Sequence, residues 1–572
     1  MPAPDHPREP SAADPTPNAP RRRLLAAGVT AASAGLLPRA FAQSMAGMNM
    51  QSMAAMPDMA MARPRALPQA RAAHPAAFSR RLDMPRTLLG EPGSDGVLRY
   101  ALRMQPGSSE LLGGVATPTW GYNGAFLGPA LRVPRGRPVA ITVANALNQS
   151  STTHWHGAHV PGAMDGGPQS LIEPGRSLQV RFALEQPAAT LWYHPHPDTR
   201  TGPHVWAGLA GLLLVDDGLD ARLGLPHTWG VDDIPLVLQD RRFDARGRLS
   251  YMPDGMMDMM GMKGDRFLVN GREQPYVELP AQWVRLRILN GSNARIYNLA
   301  FSDRRGFHMV GSDAGLLERA VEMRSLLLGP AERAELLVDL RAMHGRTLVL
   351  RSDSGDIVPQ LGSSMGDSDA WDHSGFDLLQ IRVVAPRGTP GRLAARLAEL
   401  ETLRPTLQQP RTFTLQGMSA NMGRSMGTRA SMGGMGAMQS GGAQPATRGP
   451  GAMSLGMGGQ PMFSINHRFM DMRVIDQKVK LGATEVWEVR NDSGMAHPFH
   501  MHGTSFRIVE RDGKPAAEHE RGWKDVVLVR RRETVRLVMR FDQPAGVDHP
   551  YMYHCHILEH EDNGMMGQFT VT

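Results

Sequence analysis

Cysteine is almost missing from this chain, since Cys555 is the only one among its 572 residues. A single cysteine excludes an intramolecular disulfide, and in an exported protein its thiol is open to oxidation unless a metal ion occupies it. Uncharged apolar runs of the roughly 20 residues that a bilayer helix needs are also missing, so we expect no membrane span. The length exceeds one ordinary domain and favours three or four.

A strong net charge is lacking as well. The formal charge is +7, and the first 42 residues contribute two of these charges, with five arginines against three acids. The remaining positive charge is spread thinly over a large protein, and the arginines do not alternate with aromatic residues. We therefore expect no nucleic-acid binding.

The amino terminus has the pattern of an export signal. Three arginines, Arg21 to Arg23, precede the apolar stretch from Ala26 to Leu37, and Ala40-Phe41-Ala42 offers a cleavage site. The paired arginines and the modest hydrophobicity resemble a twin-arginine signal, which exports folded proteins, with a general secretory signal as the alternative. We predict a signal peptide over residues 1–42 and a periplasmic mature protein.

One short unit recurs three times along the chain. Each copy has a turn built on asparagine and, further on, an alternating strand that ends in asparagine. This pattern is typical of antiparallel strands and tight turns, and helices are scarce apart from a short piece near Leu393 to Leu403. We predict an all-β chain of three β-sandwich domains. The turns contain Asn123, Asn270 and Asn466, and the strands run from Val139 to Val143, Val284 to Ile288 and Glu485 to Val489.

The predicted organisation follows from these repeats. The third domain contains a Gly/Ser/Met insertion at 417–461, which cannot build a core and which we expect to be mobile. In order, we predict a Met-rich segment over 43–84, domain 1 over 85–225, domain 2 over 226–390, a linker over 391–410 and domain 3 over 411–572.

Histidines occur as four His-x-His pairs. Residues i and i+2 of a strand point to the same face, so each pair presents two imidazoles side by side. Imidazole suits copper, and eight imidazoles can hold three ions with positions left open for a small molecule. The pairs are His154 with His156, His194 with His196, His500 with His502, and His554 with His556.

The lone cysteine lies between the two histidines of the last pair, so its sulfur points away from their rings. His497, Cys555 and His560 make a His₂Cys set. Met565 adds a weak axial ligand, and this combination is typical of a blue-copper electron-transfer site. Zinc suits any one of these clusters alone, but the complete set favours copper.

At these motifs the sequence resembles the multicopper oxidases, and more closely their bacterial copper-efflux branch, from about residue 85 to the end. His-Trp-His-Gly, His-Pro-His, His-Pro-x-His-x-His-Gly and His-Cys-His-x₃-His-x₄-Met match the family's four copper motifs. The resemblance implies three cupredoxin-like Greek-key domains, with a trinuclear cluster between the first and third and the second as a spacer. It also implies dioxygen as electron acceptor and four copper ions.

The resemblance assigns each ligand to one copper type. Type-1 copper takes His497, Cys555, His560 and Met565, type-2 copper takes His154 and His500, and the type-3 pair takes His156, His194, His196, His502, His554 and His556.

Two acids are candidates for proton supply, because reducing dioxygen to water consumes protons as well as electrons. Asp165 matches a family acid near the trinuclear site, and Glu561 directly follows a copper ligand. The structural alternatives are a turn residue before Gly166-Gly167 for Asp165 and a solvated loop carboxylate for Glu561.

Methionine is abundant, and 22 of its 38 copies fall in three short stretches, at 45–61, 252–262 and 418–462. Thioethers are soft ligands that favour cuprous ion, so we expect cuprous ion as the electron donor, in copper tolerance, with phenols as further substrates. The copper-efflux relatives place a Met-rich insertion over the type-1 site. On that resemblance, Met418 and Met495 are the substrate-copper ligands.

The chain departs from those relatives beside the two methionines. The relatives pair them with acids, whereas this chain has Gly423 and Ser493 at the matching positions, with Asp492 displaced by one. Asp471 or Met472 would have to compensate.

Two other hypotheses stay open. One is a laccase-like phenol oxidase whose Met segments act only as a lid. The other is a periplasmic copper store or chaperone, which would bind copper without consuming dioxygen. The complete ligand set argues against the store, and also against scaffold members of the family that have lost their copper. We expect a monomer.

Overall fold

The computed structural model describes residues 77–252, 261–354, 375–407, 409–417 and 463–572. Strands dominate this part of the chain, and their six sheets follow the sequence as three face-to-face pairs, here called the first, second and third sandwich. Each sandwich encloses its own apolar cluster. The predicted all-β class is confirmed.

The first sandwich joins a sheet of order β1-β5-β10-β9-β7 to a sheet of order β2-β3-β6-β8, in which β4 also pairs with β3. Helices α1 (Gly162–Asp165) and α2 (Thr201–Ala207) lie in its loops. Its strands are β1 (Thr87–Leu89), β2 (Glu91–Pro92), β3 (Leu98–Ser109), β4 (Thr117–Tyr122), β5 (Ala130–Pro134), β6 (Val139–Asn145), β7 (His154–His156), β8 (Ser177–Phe182), β9 (Ala189–His194) and β10 (Gly211–Asp216).

The second sandwich follows helix α3 (Leu219–Leu223). Its sheets have the orders β13-β12-β11-β15-β20-β17-β18 and β14-β22-β21-β16-β19. The strands are β11 (Asp233–Arg241), β12 (Arg266–Val269), β13 (Arg272–Glu273), β14 (Tyr276–Pro280), β15 (Trp283–Asn290), β16 (Tyr297–Phe301), β17 (Phe307–Ser312), β18 (Gly315–Met323), β19 (Ser325–Leu328), β20 (Arg333–Asp339), β21 (Thr347–Asp353) and β22 (Gly375–Val384).

The third sandwich has sheets of order β24-β23-β26-β31-β28-β29 and β25-β33-β32-β27-β30. A 3₁₀ turn (Glu518–Glu520) and helix α4 (Leu558–Asp562) lie between its strands. The strands are β23 (Arg411–Gln416), β24 (Ser464–Ile465), β25 (Gln477–Val479), β26 (Thr484–Asn491), β27 (His497–Met501), β28 (Phe506–Arg511), β29 (Lys514–Pro515), β30 (Val526–Val529), β31 (Thr534–Arg540), β32 (Tyr551–Cys555) and β33 (Met566–Val571).

The turn asparagine of the sequence repeat makes the same contacts in all three sandwiches. It has positive φ, a conformation that asparagine tolerates better than most residues. Its Oδ1 accepts a 2.7 Å hydrogen bond from a backbone N–H of β3, β11 or β23, and its side-chain amide donates to the carbonyl two residues before that N–H. The pairs are Asn123 with Arg103, Asn270 with Val237, and Asn466 with Thr414.

The second repeated asparagine ends a strand and fixes the loop that follows. Its Oδ1 accepts the N–H two residues on, and its amide donates across to a carbonyl of another strand or loop. In the third sandwich that carbonyl belongs to Val529, which stands opposite His497 in the ladder. Asn491 therefore holds the loop that leads into His497.

The repeated strand pairs in parallel with an earlier strand of its sandwich, in β3/β6, β11/β15 and β23/β26. This differs from the antiparallel pairing that the turns predicted. The chain passes through the opposite sheet between the two strands, as β5, β14 and β25 show, and so it returns in the same direction. Local turn residues carry no information about that crossing.

The helix expected near Leu393 to Leu403 is wrong, because this described stretch has no regular structure. Leu397 is buried against the outer face of the second sandwich beside Leu225 and Val310, and its N–H bonds to the carbonyl of Glu318. The apolar spacing reflects packing of an irregular linker.

Several predictions fall on residues that the structure does not describe: the signal peptide, the Met-rich segment up to residue 76, and the insertion from residue 418 onwards. The predicted domain boundaries stay predictions. Among the described residues, no helix combines the length and apolar character needed to cross a bilayer.

Candidate metal centre

Strand register places the histidine pairs opposite one another. In the first sandwich, β7 pairs with β9 so that His154 faces His194. In the third, β27 pairs with β32 so that His500 faces His554. The other four members follow at the i+2 positions, in β7 or just beyond a strand end, and all eight imidazoles are buried. The first and third sandwiches thus supply four imidazoles each.

The imidazole nitrogens gather into three groups, within each of which they lie at most 4.8 Å apart. His156 Nδ1 lies 3.4 Å from His194 Nε2, while His554 Nε2 lies 3.3 Å from Nε2 of both His196 and His502. The groups are His156, His194 and His556; His196, His502 and His554; and His154, His156 and His500. The first two have the membership that the resemblance gives to the type-3 pair, and the last contains both type-2 residues.

Most of these rings are held from outside through Nδ1, which donates to a carbonyl or carboxylate oxygen. Such outer bonds fix the tautomer and orientation of a metal-ligating histidine. His156 is reversed, because its Nε2 donates to Asp525 Oδ1 at 3.1 Å and its Nδ1 faces the cluster. The Nδ1 partners are Asp165 O for His154, Pro195 O for His194, Asp525 O for His500, Asp165 Oδ2 for His502 and Cys555 O for His554.

Burial favours the neutral form of six of the eight imidazoles. Desolvation, with repulsion from neighbouring imidazoles, holds the pKa of His156, His194, His500 and His502 well below the usual value. The pKa of His196 falls to about 4 and that of His556 to about 3. At His154 burial also lowers the pKa, but the nearby Asp165 carboxylate outweighs it. Neutral imidazole is the form that binds metal.

Two nitrogens test whether a metal fits. Within the part of the chain that the structure describes, Nε2 of His154 and Nε2 of His500 are buried and have no hydrogen-bond partner. Buried polar atoms are nearly always satisfied, so such nitrogens point to a missing ligand or ion. Imidazole groups beside a His₂Cys set suit copper, and these residues therefore fit copper ions.

The cysteine forms a fourth, separate group. Cys555 Sγ lies 3.4 Å from His497 Nδ1 and 3.5 Å from His560 Nδ1, and all three side chains are buried. The ring of Phe463 stacks on that of His560 at 3.7 Å. Burial raises the pKa of the Cys555 thiol, so a thiolate here needs an adjacent cation. Met565 is buried in the same core.

Asp165 joins the two halves of the centre. It ends helix α1 and is buried, with Oδ2 2.7 Å from His502 Nδ1 and 3.4 Å from His154 Nδ1. It also precedes a turn, as the structural alternative expected: Gly166 has φ of 81°, and a Cβ there would lie 1.8 Å from the Thr153 carbonyl. The tight turn and the contacts with both histidines therefore coexist.

Glu561 is buried, so it is not a solvated loop carboxylate. Its Oε2 lies 3.2 Å from His554 Nδ1 and its Oε1 3.5 Å from His196 Nδ1. Burial raises the pKa of the Glu561 carboxyl, but the two imidazoles outweigh it and hold the pKa below its usual range. The carboxylate thus lies behind one type-3 group.

Only some of the candidate ligands of the substrate copper lie among the residues that the structure describes. Met418 and Gly423 lie outside the described residues. Met495 is half-buried against the core of the third sandwich, and Ser493 Oγ lies 2.7 Å from His497 Nε2. Asp471 is engaged by Arg473, whose hydrogen bonds lower the pKa of the carboxyl to about 2. Met472 is partly exposed on the same loop.

Sequence reasoning missed Glu559, because its partners come from distant segments. Its Oε1 accepts hydrogen bonds from Asn293 Nδ2 at 2.8 Å and Tyr251 Oη at 3.1 Å, and its Oε2 accepts the Met262 N–H at 2.9 Å. Burial raises the pKa of Glu559 to about 7. Glu559 thus ties the end of the 252–262 methionine stretch to the helix that carries His560.

We expect Glu559→Gln to loosen this tie. Three donors converge on two carboxylate oxygens, and an amide offers one oxygen, so at least one buried donor loses its acceptor at a cost of ~1–3 kcal/mol. Hydrogen exchange at the Met262 amide should then rise about tenfold or more. Glu399→Gln, on the exposed linker, is the control. Unchanged exchange at Met262 would contradict the tether.

Comparisons with known proteins bear on these groups. Two stretches, residues 103–220 and 444–572, match family models described as multicopper oxidase. The chain is 32% identical over 496 residues to the multicopper oxidase mco of Staphylococcus aureus, covering 86% of this chain and 92% of that protein. It is also 33% identical over 452 residues to the cell division protein FtsP of Xenorhabdus nematophila, covering 79% and 85%.

A solved structure extends the likeness to the fold. The laccase-like multicopper oxidase CueO of Ochrobactrum sp. superimposes with a TM-score of 0.71 at 35% identity, covering 86% of this chain and all of that one. The predicted cupredoxin-like architecture is thereby confirmed.

Proposed function

Because this chain belongs to the multicopper oxidases, oxidoreductases that bind copper and use dioxygen, we propose that it oxidises cuprous ion and reduces dioxygen to water. Phenols would be further substrates, and copper tolerance the role. The observation that carries the proposal is the coexistence of a buried His₂Cys group with three buried imidazole groups. The concentration of methionines supports cuprous ion as donor, since thioethers prefer it.

The residues would hold four copper ions. His497, Cys555, His560 and Met565 would form the type-1 site, and His154 with His500 the type-2 site. The six remaining histidines would form the type-3 pair, in the two groups that the nitrogen distances define. When bound, these ions supply one-electron transfer and the reduction of dioxygen.

The chain itself supplies the shortest covalent connection between the two kinds of site. Cys555 is bonded through the backbone to His554 on one side and to His556 on the other. These two histidines belong to different type-3 groups. Electrons arriving at the thiolate therefore have an equivalent path into each group.

Buried carboxylates would hold the protons. Four cuprous ions lose one electron each, and one dioxygen takes up these electrons with four protons to give two waters. Asp165 bonds to His502, and Glu561 lies beside His196 and His554, so both are placed to exchange protons at the edge of the cluster.

Thioethers would capture the cuprous ion, with Met418 and Met495 as ligands. Ser493 places a neutral hydroxyl against His497, where the copper-efflux relatives have an acid, so capture would depend on sulfur more than on charge. The export signal predicted over residues 1–42 supports a periplasmic location, where an exported protein would meet copper.

One relative bears the name of a cell division protein, but the donor groups favour redox chemistry here. A scaffold has no need for buried imidazole nitrogens directed at common points, or for a cysteine between two such histidines. The complete set speaks equally against a simple copper store.

The test is steady-state dioxygen uptake by the copper-loaded protein with cuprous ion as the sole donor. We expect rapid uptake at one dioxygen per four cuprous ions. Replacing the nine methionines between 418 and 462 by leucine should depress cuprous oxidation and leave phenol oxidation intact, because leucine retains bulk without sulfur. Deleting 417–461 should depress cuprous oxidation in the same way.

The other outcomes identify the alternatives. Phenol turnover without cuprous oxidation, increased by the deletion, would indicate a laccase with a lid. Copper binding without dioxygen uptake from either donor would indicate a store.

A further inference from the structure

The second sandwich is expected to be a spacer, yet one of its side chains reaches the metal centre. Arg333 opens strand β20, and its guanidinium is fully buried. It meets Asp525, which directly precedes strand β30 of the third sandwich. We propose that Arg333 is a positioning residue for the type-2 and type-3 histidines and that it acts through Asp525. This inference rests on the proposed copper assignment.

The guanidinium holds the carboxylate in one orientation. Arg333 Nη1 donates to Asp525 Oδ1 at 2.6 Å, and Nη2 donates to Oδ2 at 2.5 Å. The remaining N–H groups donate to the carbonyls of Ala331, Asp313 and Thr190 at 3.0, 2.8 and 3.0 Å. All five donors of the side chain are therefore used, and Arg333 cannot turn without breaking several bonds.

Asp525 in turn holds two histidines, one from each side of the cluster. Its Oδ1 accepts the N–H of His156 Nε2 at 3.1 Å, and its carbonyl accepts the N–H of His500 Nδ1 at 2.7 Å. The first bond fixes the reversed tautomer of His156, which leaves Nδ1 facing His194. Without the carboxylate, nothing described at Nε2 would select that tautomer.

The surroundings leave the pair little freedom. At Gly157 a Cβ would lie 2.4 Å from Asp525 Oδ2 and 2.8 Å from Arg333 Nη2, and the residue has φ of 82°. Glycine thus lets the ion pair approach the strand that carries His156. Asp313 Oδ1 accepts the backbone N–H of Arg333 at 2.8 Å, and its Oδ2 accepts from Lys524 Nζ at 2.8 Å.

Arg333→Lys tests the inference, because lysine keeps the charge but cannot make the two parallel bonds. Outer partners of metal-ligating histidines are worth about 10–100-fold in metal affinity. We expect a weakening of that order in the type-3 copper held by His156, His194 and His556. It should appear as faster loss to a chelator and a weaker type-3 absorption, while the blue type-1 band stays unchanged. Asp525→Asn should act in the same direction.

The matched control is Arg285→Lys. Arg285 is buried on the neighbouring strand β15 and bonds to Glu335 and Asp220, and among the described residues it contacts no histidine of the centre. Its variant should lower the melting temperature and retain all copper. Equal copper retention in Arg333→Lys and Arg285→Lys would overturn the positioning role.

The blue type-1 band distinguishes a loss confined to the type-3 group from a wider loss of the copper sites. A variant that lacks this band has lost the type-1 site as well, so its defect is not confined to the type-3 group, and the other member of the pair, Arg333→Lys or Asp525→Asn, then decides. If both lack it, copper binding by Asp525→Glu decides, because a longer carboxylate retains the charge but displaces the bond to His156. A wild-type protein that binds no type-3 copper would refute the proposed function instead, and this inference with it.

Discussion

Replacing Cys555 by serine is expected to abolish dioxygen uptake with every donor, a loss of at least about 1000-fold or roughly 4 kcal/mol in activation free energy. Cys555 Sγ lies within 3.5 Å of His497 Nδ1 and His560 Nδ1, so its thiolate would be the strong soft ligand beside these two imidazoles. A serine hydroxyl is a hard donor that stays protonated, and it cannot replace a thiolate at a blue-copper site. The blue absorption should vanish with the activity.

The trinuclear site should survive this substitution. The His554 ring is held by the bond from Nδ1 to the Cys555 carbonyl, and the His556 ring packs against Trp192 and His194. Serine retains these contacts. We therefore expect three copper ions per chain, with the type-2 electron paramagnetic resonance signal preserved. Met565→Leu is the control, because it conserves volume and removes only the weak axial ligand, so colour and most activity should remain. Undiminished uptake in Cys555→Ser would show that electrons do not pass through the thiolate.

The separation of Cys555 from its neighbours is also where sequence reasoning works best. A strand has a strict period of two, so a His-Cys-His run must send the sulfur to one side and both imidazoles to the other. The same rule makes each His-x-His pair a pair of neighbours in space. Neither the two-residue period of a strand nor the preference of a metal for certain donor atoms depends on the fold. The structure brings these histidines together in three groups and places Cys555 with His497 and His560.

Contacts between distant segments leave no comparable pattern in the sequence from which they could be predicted. Arg333 and Asp525 are separated by 192 positions, and neither belongs to a recognisable motif. Glu559 likewise meets Tyr251, Met262 and Asn293 only because two sandwiches pack together. The second sandwich lacks His-x-His pairs, and for that reason the sequence suggested only a spacer. Its Arg333 nevertheless contacts Asp525, which bonds to His156 and His500.

The spacing of apolar residues can also suggest a helix where an irregular segment packs against the core. Leu393 and Leu397 have the separation of one helical turn, but the intervening chain is irregular and Leu397 bonds to the second sandwich through its backbone. The parallel pairing of β3 with β6 was missed for a related reason. It depends on a passage through the opposite sheet, which turn residues do not encode.

Asp165→Ala is expected to lower copper affinity at the trinuclear site by about 10–100-fold. The carboxylate accepts the His502 Nδ1–H at 2.7 Å and lies 3.4 Å from His154 Nδ1, so alanine frees the His502 ring and removes the negative charge beside His154. His154 keeps its bond to the Asp165 carbonyl, which any residue provides, and so His502 should be affected more. The measurement is copper retained per chain after dialysis against a chelator.

Asp165→Asn separates orientation from proton supply. The amide oxygen can still accept from His502, so copper content and the type-3 absorption should stay close to wild type. The amide holds no transferable proton, however, and a missing acid or base in proton transfer costs typically about 100- to 10,000-fold. We expect a fall in turnover of that order and an altered pH profile for reoxidation of the reduced enzyme. Asp95→Asn, at the exposed pair with Arg99, is the matched control and should change neither.

The two variants together assign the role of this acid. If asparagine turns over like wild type while alanine loses copper, Asp165 only orients His502, and the protons come by way of Glu561 or solvent. If asparagine keeps its copper and loses turnover, the same carboxylate both holds the ring and delivers protons. Among the described residues, the basic side chains beside this buried acid are imidazoles. The double role would explain why the acid lies at the junction of the first and third sandwiches.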